Sequence, residues 1–198
     1  MNRKIKTGLT LGLGALFTGA IIAYSFIQPF EEGLVYRAFP AQASFVFKAD
    51  NLDALLQSPV CKQLDSALGT SHSLAEFAKA TDWIKWAAAS EIAVADLPFR
   101  NAGSQKTWVA ASWVGWRSPW LRWKLEAAVD ENLKFLGKHS IWPIWEYTVP
   151  DLARGRTLTF SLTDNLLIAC LSESPSDIIS LINAYDQRIT SYRRGKKP

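Results

Sequence analysis

All nine tryptophans of this 198-residue chain lie between Trp83 and Trp145, and indole rings are the side chains here best suited to grip a partner. Trp116, Trp120 and Trp142 lie beside Arg117, Pro119 and Pro143, a loop-like setting, and with Trp145 they are candidates for one exposed aromatic patch. Such a patch stacks on sugar rings or anchors a protein, because each ring covers a large rigid area at small entropic cost. The opposing reading is that the tryptophans fill the core, since several occur at strand spacing among other apolar residues.

The remaining chemistry-bearing residues fit no catalytic template. His72 and His139 are the only histidines, and their distance in sequence from Cys61 and Cys170 leaves no zinc-type ligand cluster. No nucleophile elbow, Ser-x-x-Lys pair or Walker-type phosphate loop is present. The carboxylate pairs Asp50/Asp53 and Asp130/Glu131 fall at predicted helix starts, where a carboxylate caps and meets the helix dipole. A hydrolase with two distant carboxylates leaves no sequence signature and stays open as an alternative. No catalytic residue, metal site or cofactor is therefore assigned. Cys61 and Cys170, the only cysteines, have two readings: one disulfide in an oxidising compartment, or two buried small hydrophobes.

The strongest positional signal precedes all of these residues. Arg3, Lys4 and Lys6 are followed by a charge-free run from Thr7 through Phe30, and then by Glu31 and Glu32. As a helix this run would be about 36 Å long, enough for a hydrocarbon core of about 30 Å. It predicts a single-pass signal anchor over residues 7–30 embedded in membrane lipid. The basic residues 1–6 would lie in the cytoplasm and the bulk of the chain beyond the inner membrane, facing the periplasm. A cleavable signal peptide is the competing reading, with Ala23-Tyr24-Ser25 and Thr18-Gly19-Ala20 as candidate cleavage sites. Gly8, Gly12, Ala15, Gly19 and Ala23 recur at steps of three and four. They make a small-residue face suited to helix–helix packing or self-association within the membrane.

Charge bounds the partners of the exported part. Of the 22 Lys and Arg, three precede residue 7 and five follow residue 187, which leaves 14 bases against 18 acids, or −4, between them. A nucleic-acid-binding surface is not indicated. Residues 188–198 read as a basic disordered tail, and 31–187 as one exported domain of a size that supports a single core.

The elements that must position the aromatics follow from periodicity. Ala43 to Ala49 alternates as a strand, and Asp50-Asn51 caps a helix bearing Leu52, Leu55 and Leu56. Pro59 opens a second helix. Ser73-Leu74-Ala75-Glu76 is a capping box opening a third, which is predicted to carry Phe77, Ala80, Ile84 and Trp86 in one run. Strands are predicted over Ile92 to Ala95, Thr107 to Trp116 and Trp120 to Glu126. A short helix after Asp130 carries Leu133, Phe135 and Leu136. A hairpin joins Thr157–Leu162 to Leu166–Leu171 through Thr163-Asp164-Asn165, and a last helix carries Ile178, Leu181, Ile182 and Tyr185. The order predicts an α+β fold: an N-terminal transmembrane helix, then a mostly antiparallel sheet packed with helices.

Four segments carry a family likeness: Phe39-Pro40-Ala41, Ala49-Asp50-Asn51-Leu52, Leu55-Leu56-Gln57-Ser58-Pro59, and the Leu158 to Leu171 hairpin running into a helix. Together with the N-terminal run, this arrangement resembles uncharacterised bacterial single-pass membrane-anchored exported proteins over about half the chain. Such proteins are commonly longer, so the resemblance implies a short or truncated member, and it implies no activity. The expected role is a periplasm-facing domain that binds another envelope protein or serves as a structural envelope component. The alternative is a tethered glycan-binding module or envelope hydrolase.

Overall fold

The computed structural model describes residues 13–20, 33–68, 73–97, 107–127, 131–149, 155–163 and 165–195. The chain forms two compact units, Met1–Glu31 and Glu32–Pro198. In the first, residues 13–20 are helical with outward-facing side chains, and the Thr18 hydroxyl donates to the Gly14 carbonyl at 2.8 Å. Among the described residues, no helix is long and apolar enough to cross a membrane. The rest of the 7–30 run lies outside them.

In the second unit seven strands form one antiparallel sheet: β1 (Phe45–Ala49), β2 (Ile92–Leu97), β3 (Thr107–Trp113), β4 (Leu133–His139), β5 (Trp142–Tyr147), β6 (Thr157–Leu162) and β7 (Leu166–Ser172). Their spatial order is β1-β2-β3-β7-β6-β5-β4, so the early and late meanders join at β3 and β7. The α+β class and the antiparallel sheet follow the sequence reading, and the 157–171 hairpin forms as expected.

Each strand sends alternate side chains to opposite layers. One face carries Val94, Trp108, Leu158, Phe160 and Leu171 beneath α1 (Leu52–Leu56), α2 (Pro59–Leu68), α3 (Leu74–Ala80), α4 (Asp82–Ala87) and α5 (Ser118–Glu126). The other carries Ala93, Ala95, Val109, Ala111, Ile168 and Cys170 against the 3-10 turn Leu34–Ala38 and α6 (Asp177–Gly195). Alanines on β2 and β3 leave room for that turn, whose Val35 and Ala38 are fully buried. Local signals start the helices. The Asn51 side chain accepts from the Ala54 amide at 2.9 Å. The Ser73/Glu76 capping box closes with bonds of 3.2 and 2.9 Å.

Several predicted elements differ. The helix expected from Ser73 onward breaks at Thr81, an extended and buried residue that separates α3 from α4. Trp120 to Glu126 is helix α5 rather than a strand. Pro119 opens it, and Leu121 and Leu125, four residues apart, go into the core together while Trp123 faces solvent. Leu133 to His139 is strand β4 rather than a helix, because its pairing with β5 supplies the hydrogen bonds that a short isolated helix would otherwise provide. A bulge between Phe135 and Gly137, with Lys134 and Lys138 beside it, blunts this sheet edge. The backbone of α6 continues to Gly195. Most of the segment read as a disordered tail is therefore helical, as suits a stretch with no Pro or Gly between Asp177 and Arg194.

The cysteine alternative resolves as two buried free thiols. Cys170 lies on the α6 face of the sheet, while Cys61 sits in α2 above the other face beside Asp65. Burial raises the Cys61 thiol, with Asp65 adding to the effect, and pushes Cys170 up to about 12. Cys170 thus holds its proton in the folded chain well above 9.0, where an unfolded thiol releases it. Its contribution to stability is complete below about pH 9 and is lost as pH rises toward 12. Between about pH 8 and pH 10, urea unfolding should show the native chain losing about 1.4 kcal/mol more than a Cys170→Ala variant, and reductant should leave the melting temperature of either unchanged.

Candidate functional site

The exposed aromatic surface forms where β3 ends. Val114 leads into the 3-10 turn Gly115–Arg117 and directly on into α5, so Trp116, Trp120 and Trp123 follow one another along a turn and the first two turns of a helix. They are 44%, 45% and 63% exposed. Trp86, at the end of α4, is half-buried beneath them. Its ring lies 6.1 Å from Trp116 in an edge-on arrangement and 4.2 Å from Trp120 in a tilted one. The Lys124 ammonium sits 5.1 Å above the Trp120 ring, a cation–π contact.

Arg117 holds this shelf in place. Its side chain is buried, and the guanidinium donates to the carbonyls of Trp86 at 2.7 Å and Trp113 at 3.1 Å, and also to the Ser90 hydroxyl. Its Nε donates to the Val114 carbonyl at 3.2 Å. One carbonyl near the end of α4, that of Trp86, is thereby satisfied by the residue that follows Trp116. Its carbon also lies 5.9 Å from the centre of the Trp86 ring. Burial pulls the guanidinium below its ordinary value. The β6–β7 turn braces the same corner. The Asn165 carbonyl accepts from the Val114 amide at 2.8 Å, and the Ser118 hydroxyl donates to the Thr163 carbonyl at 3.3 Å.

Gly115 adopts φ 49°, and a Cβ there would collide with the indole of Trp113. Only glycine combines that left-handed backbone with so close a ring.

Of the four tryptophans grouped from sequence, Trp116 and Trp120 are exposed at this corner. Trp142 and Trp145 do not join it: they are 5% and 1% exposed and point to opposite faces of the sheet. They alternate along β5, an element the sequence reading left unassigned, and the pleat sends one to each core. Trp142 donates from its indole nitrogen to Asp186 at 2.8 Å, while Trp145 packs against Phe135 with centroids 6.1 Å apart. Trp123 and Trp86 take their places. The helical spacing of Leu121 and Leu125, which puts Trp123 outside, was the signal for the first; nothing local signals the second.

Of the small-residue face, Ala15 and Gly19 lie four apart on the described helical stretch and are exposed, and Gly8, Gly12 and Ala23 lie outside the described residues. His72 and Asp130 also lie outside them, while His139 Nε2 bonds the Asn183 side-chain oxygen at 2.9 Å. Among the described residues, no group of three or more His, Cys, Asp or Glu side chains is placed to hold a metal. No known protein family, curated protein or solved structure matches the chain.

Two substitutions test the shelf. Arg117→Met should lower stability by about 2–4 kcal/mol in urea unfolding. Arg117→Lys should recover less than half of that, because a single ammonium cannot fork among four acceptors. Gly115→Ala should cost about 2 kcal/mol or more and lower the melting temperature accordingly.

Proposed function

We propose that this chain is a membrane-tethered binding protein of the bacterial envelope. In this reading residues 7–30 span the inner membrane with the N-terminus inside, Glu32 onward lies outside the cytoplasm, and the surface of Trp116, Trp120 and Trp123 holds another envelope protein. The tether is supported by the charge-free run between Arg3, Lys4, Lys6 and Glu31, Glu32. The binding role is carried by one observation: three tryptophans stand exposed on a single rigid corner.

Exposing a tryptophan to this extent forgoes roughly 2 kcal/mol of burial each, which association recovers. Tryptophan beside arginine or lysine is also the composition of interface hot spots. A protein partner is favoured over a sugar because the Trp120 ring already carries Lys124 and Trp86, whereas a sugar platform needs an uncovered face.

The full chain, crosslinked in its own membrane and purified in mild detergent, should bring down one envelope protein in fixed proportion. A Trp120→Ala/Trp123→Ala variant of equal abundance should lose it. A wild-type monomer alone, or capture by both forms, counts against the assignment, and quenching of tryptophan emission by cell-wall oligosaccharides instead favours the glycan alternative. A C-terminal reporter active only outside the cytoplasm should be active; an inactive fusion of intact length overturns the orientation.

A further inference from the structure

We infer that the helix-covered face of the sheet contains a binding pit for the end of a single alkyl chain, floored by Ala110 and Ala169. The inference is independent of the tether and of the tryptophan shelf. β7 is the central strand and β3 pairs with it, and Ala110 and Ala169 are direct cross-strand partners. Their neighbours along the strands, Val109, Ala111, Ile168 and Cys170, are all buried, yet these two alanines are only partly buried. Both belong to the face beneath α1–α5, so solvent reaches the middle of the sheet through the helical layer.

The opening is a cavity of about 150 Å³. Its lining includes Leu52, Leu64, Leu74 and Ile84, one from each of α1 to α4 and each half-buried. The gap has a local cause. The helices above it are short, α1 and α2 being separated at Gln57-Ser58 and α3 and α4 at Thr81, and the paired floor residues project only methyl groups.

Chemistry selects the occupant. Among the described lining residues Ser112 alone has an oxygen-bearing side chain, and its hydroxyl already donates to the Ala87 carbonyl at 3.0 Å. A water inside would lack the two to four polar partners it needs, so the pit favours hydrocarbon. Apolar cavities of about 150 Å³ accept a benzene-sized molecule, which corresponds to about six carbons. The half-exposed rim lets a longer or headed molecule continue outward with its polar group in water. That favours a chain end over an enclosed ring. Five or six buried carbons predict a dissociation constant on the order of 1 mM. The chain end belongs either to a free alkyl acid or to a membrane lipid, and the two are separable.

Trp108 lines the pit and serves as its reporter. The full chain, kept soluble in an amphipathic polymer, is titrated with hexanoic acid brominated at its terminal carbon. The bromine should quench the part of the emission that Trp108→Phe removes, and unbrominated hexanoic acid should relieve the quenching. Ala169→Leu fills the floor and should abolish this quenching with an unchanged or raised melting temperature, as should Ala110→Leu from the other strand. The full chain on vesicles of phosphatidylcholine brominated near the end of one acyl chain tests the lipid source through the same Trp108 component. Quenching by either source that competes with plain acid and disappears on filling supports the pit. Quenching by neither source, or quenching that persists in a folded filling variant, overturns it. If neither filling variant folds, the wild-type competition decides: quenching that excess hexanoic acid does not relieve overturns the pit.

Discussion

Apart from the gap over Ala110 and Ala169, the central strands of this domain are wrapped in side-chain packing on both faces, and that constraint governs everything else. Every residue of β2 is buried, and β6 and β7 are nearly so, hence alternate residues need two separate apolar covers. An antiparallel sheet more often keeps one face wet. Here the helices between β1 and β2, with α5, supply one cover, and the two ends of the second unit supply the other. The 3-10 turn Leu34–Ala38 and α6 share a core with Ala93, Val109 and Ile168. The turn Leu34–Ala38 and α6 thus close a single layer of the domain together.

The exposed corner is a by-product of the same arrangement. At the end of β3 the chain must leave the sheet and cross to the helical layer, and it does so through the tight Gly115 turn. Arg117 reaches back into the crossing and bonds carbonyls from α4 and β3, so the turn is held from beneath by a buried cation and from the side by the β6–β7 turn. With its base fixed, α5 places Leu121 and Leu125 inward and leaves the tryptophans of its other faces outside. A rigid aromatic surface loses little further entropy on docking, which is the condition for a few side chains to carry most of a binding energy.

Local signals were readable where one or two residues decide the outcome. The capping box at Ser73, the Asn51 cap and the Pro59 start lie where their side chains dictated, and the Thr163 hydroxyl bonds Leu166 across the start of β7. Reading failed where a segment satisfied two periods at once. Leu121, Trp123 and Leu125 alternate like a strand, while Leu121 and Leu125 alone also suit a helix, and the choice depended on whether a neighbouring strand was available to pair with. Leu133 to His139 is the converse case, in which β5 offered that partner.

From the sequence alone come the α+β class, the antiparallel hairpin, the helix starts at Asn51, Pro59 and Ser73, the charge-free N-terminal run and the concentration of tryptophan in the middle of the chain, because each is written in composition or in spacings of a few residues. Tertiary structure alone decided which tryptophans face water, that Cys61 and Cys170 lie free on opposite sides of the sheet, and that Ala110 meets Ala169 beneath an open roof. Those outcomes depend on strand register and layer assignment between segments distant in sequence, and a shift of one residue in either turns every side chain to the other face.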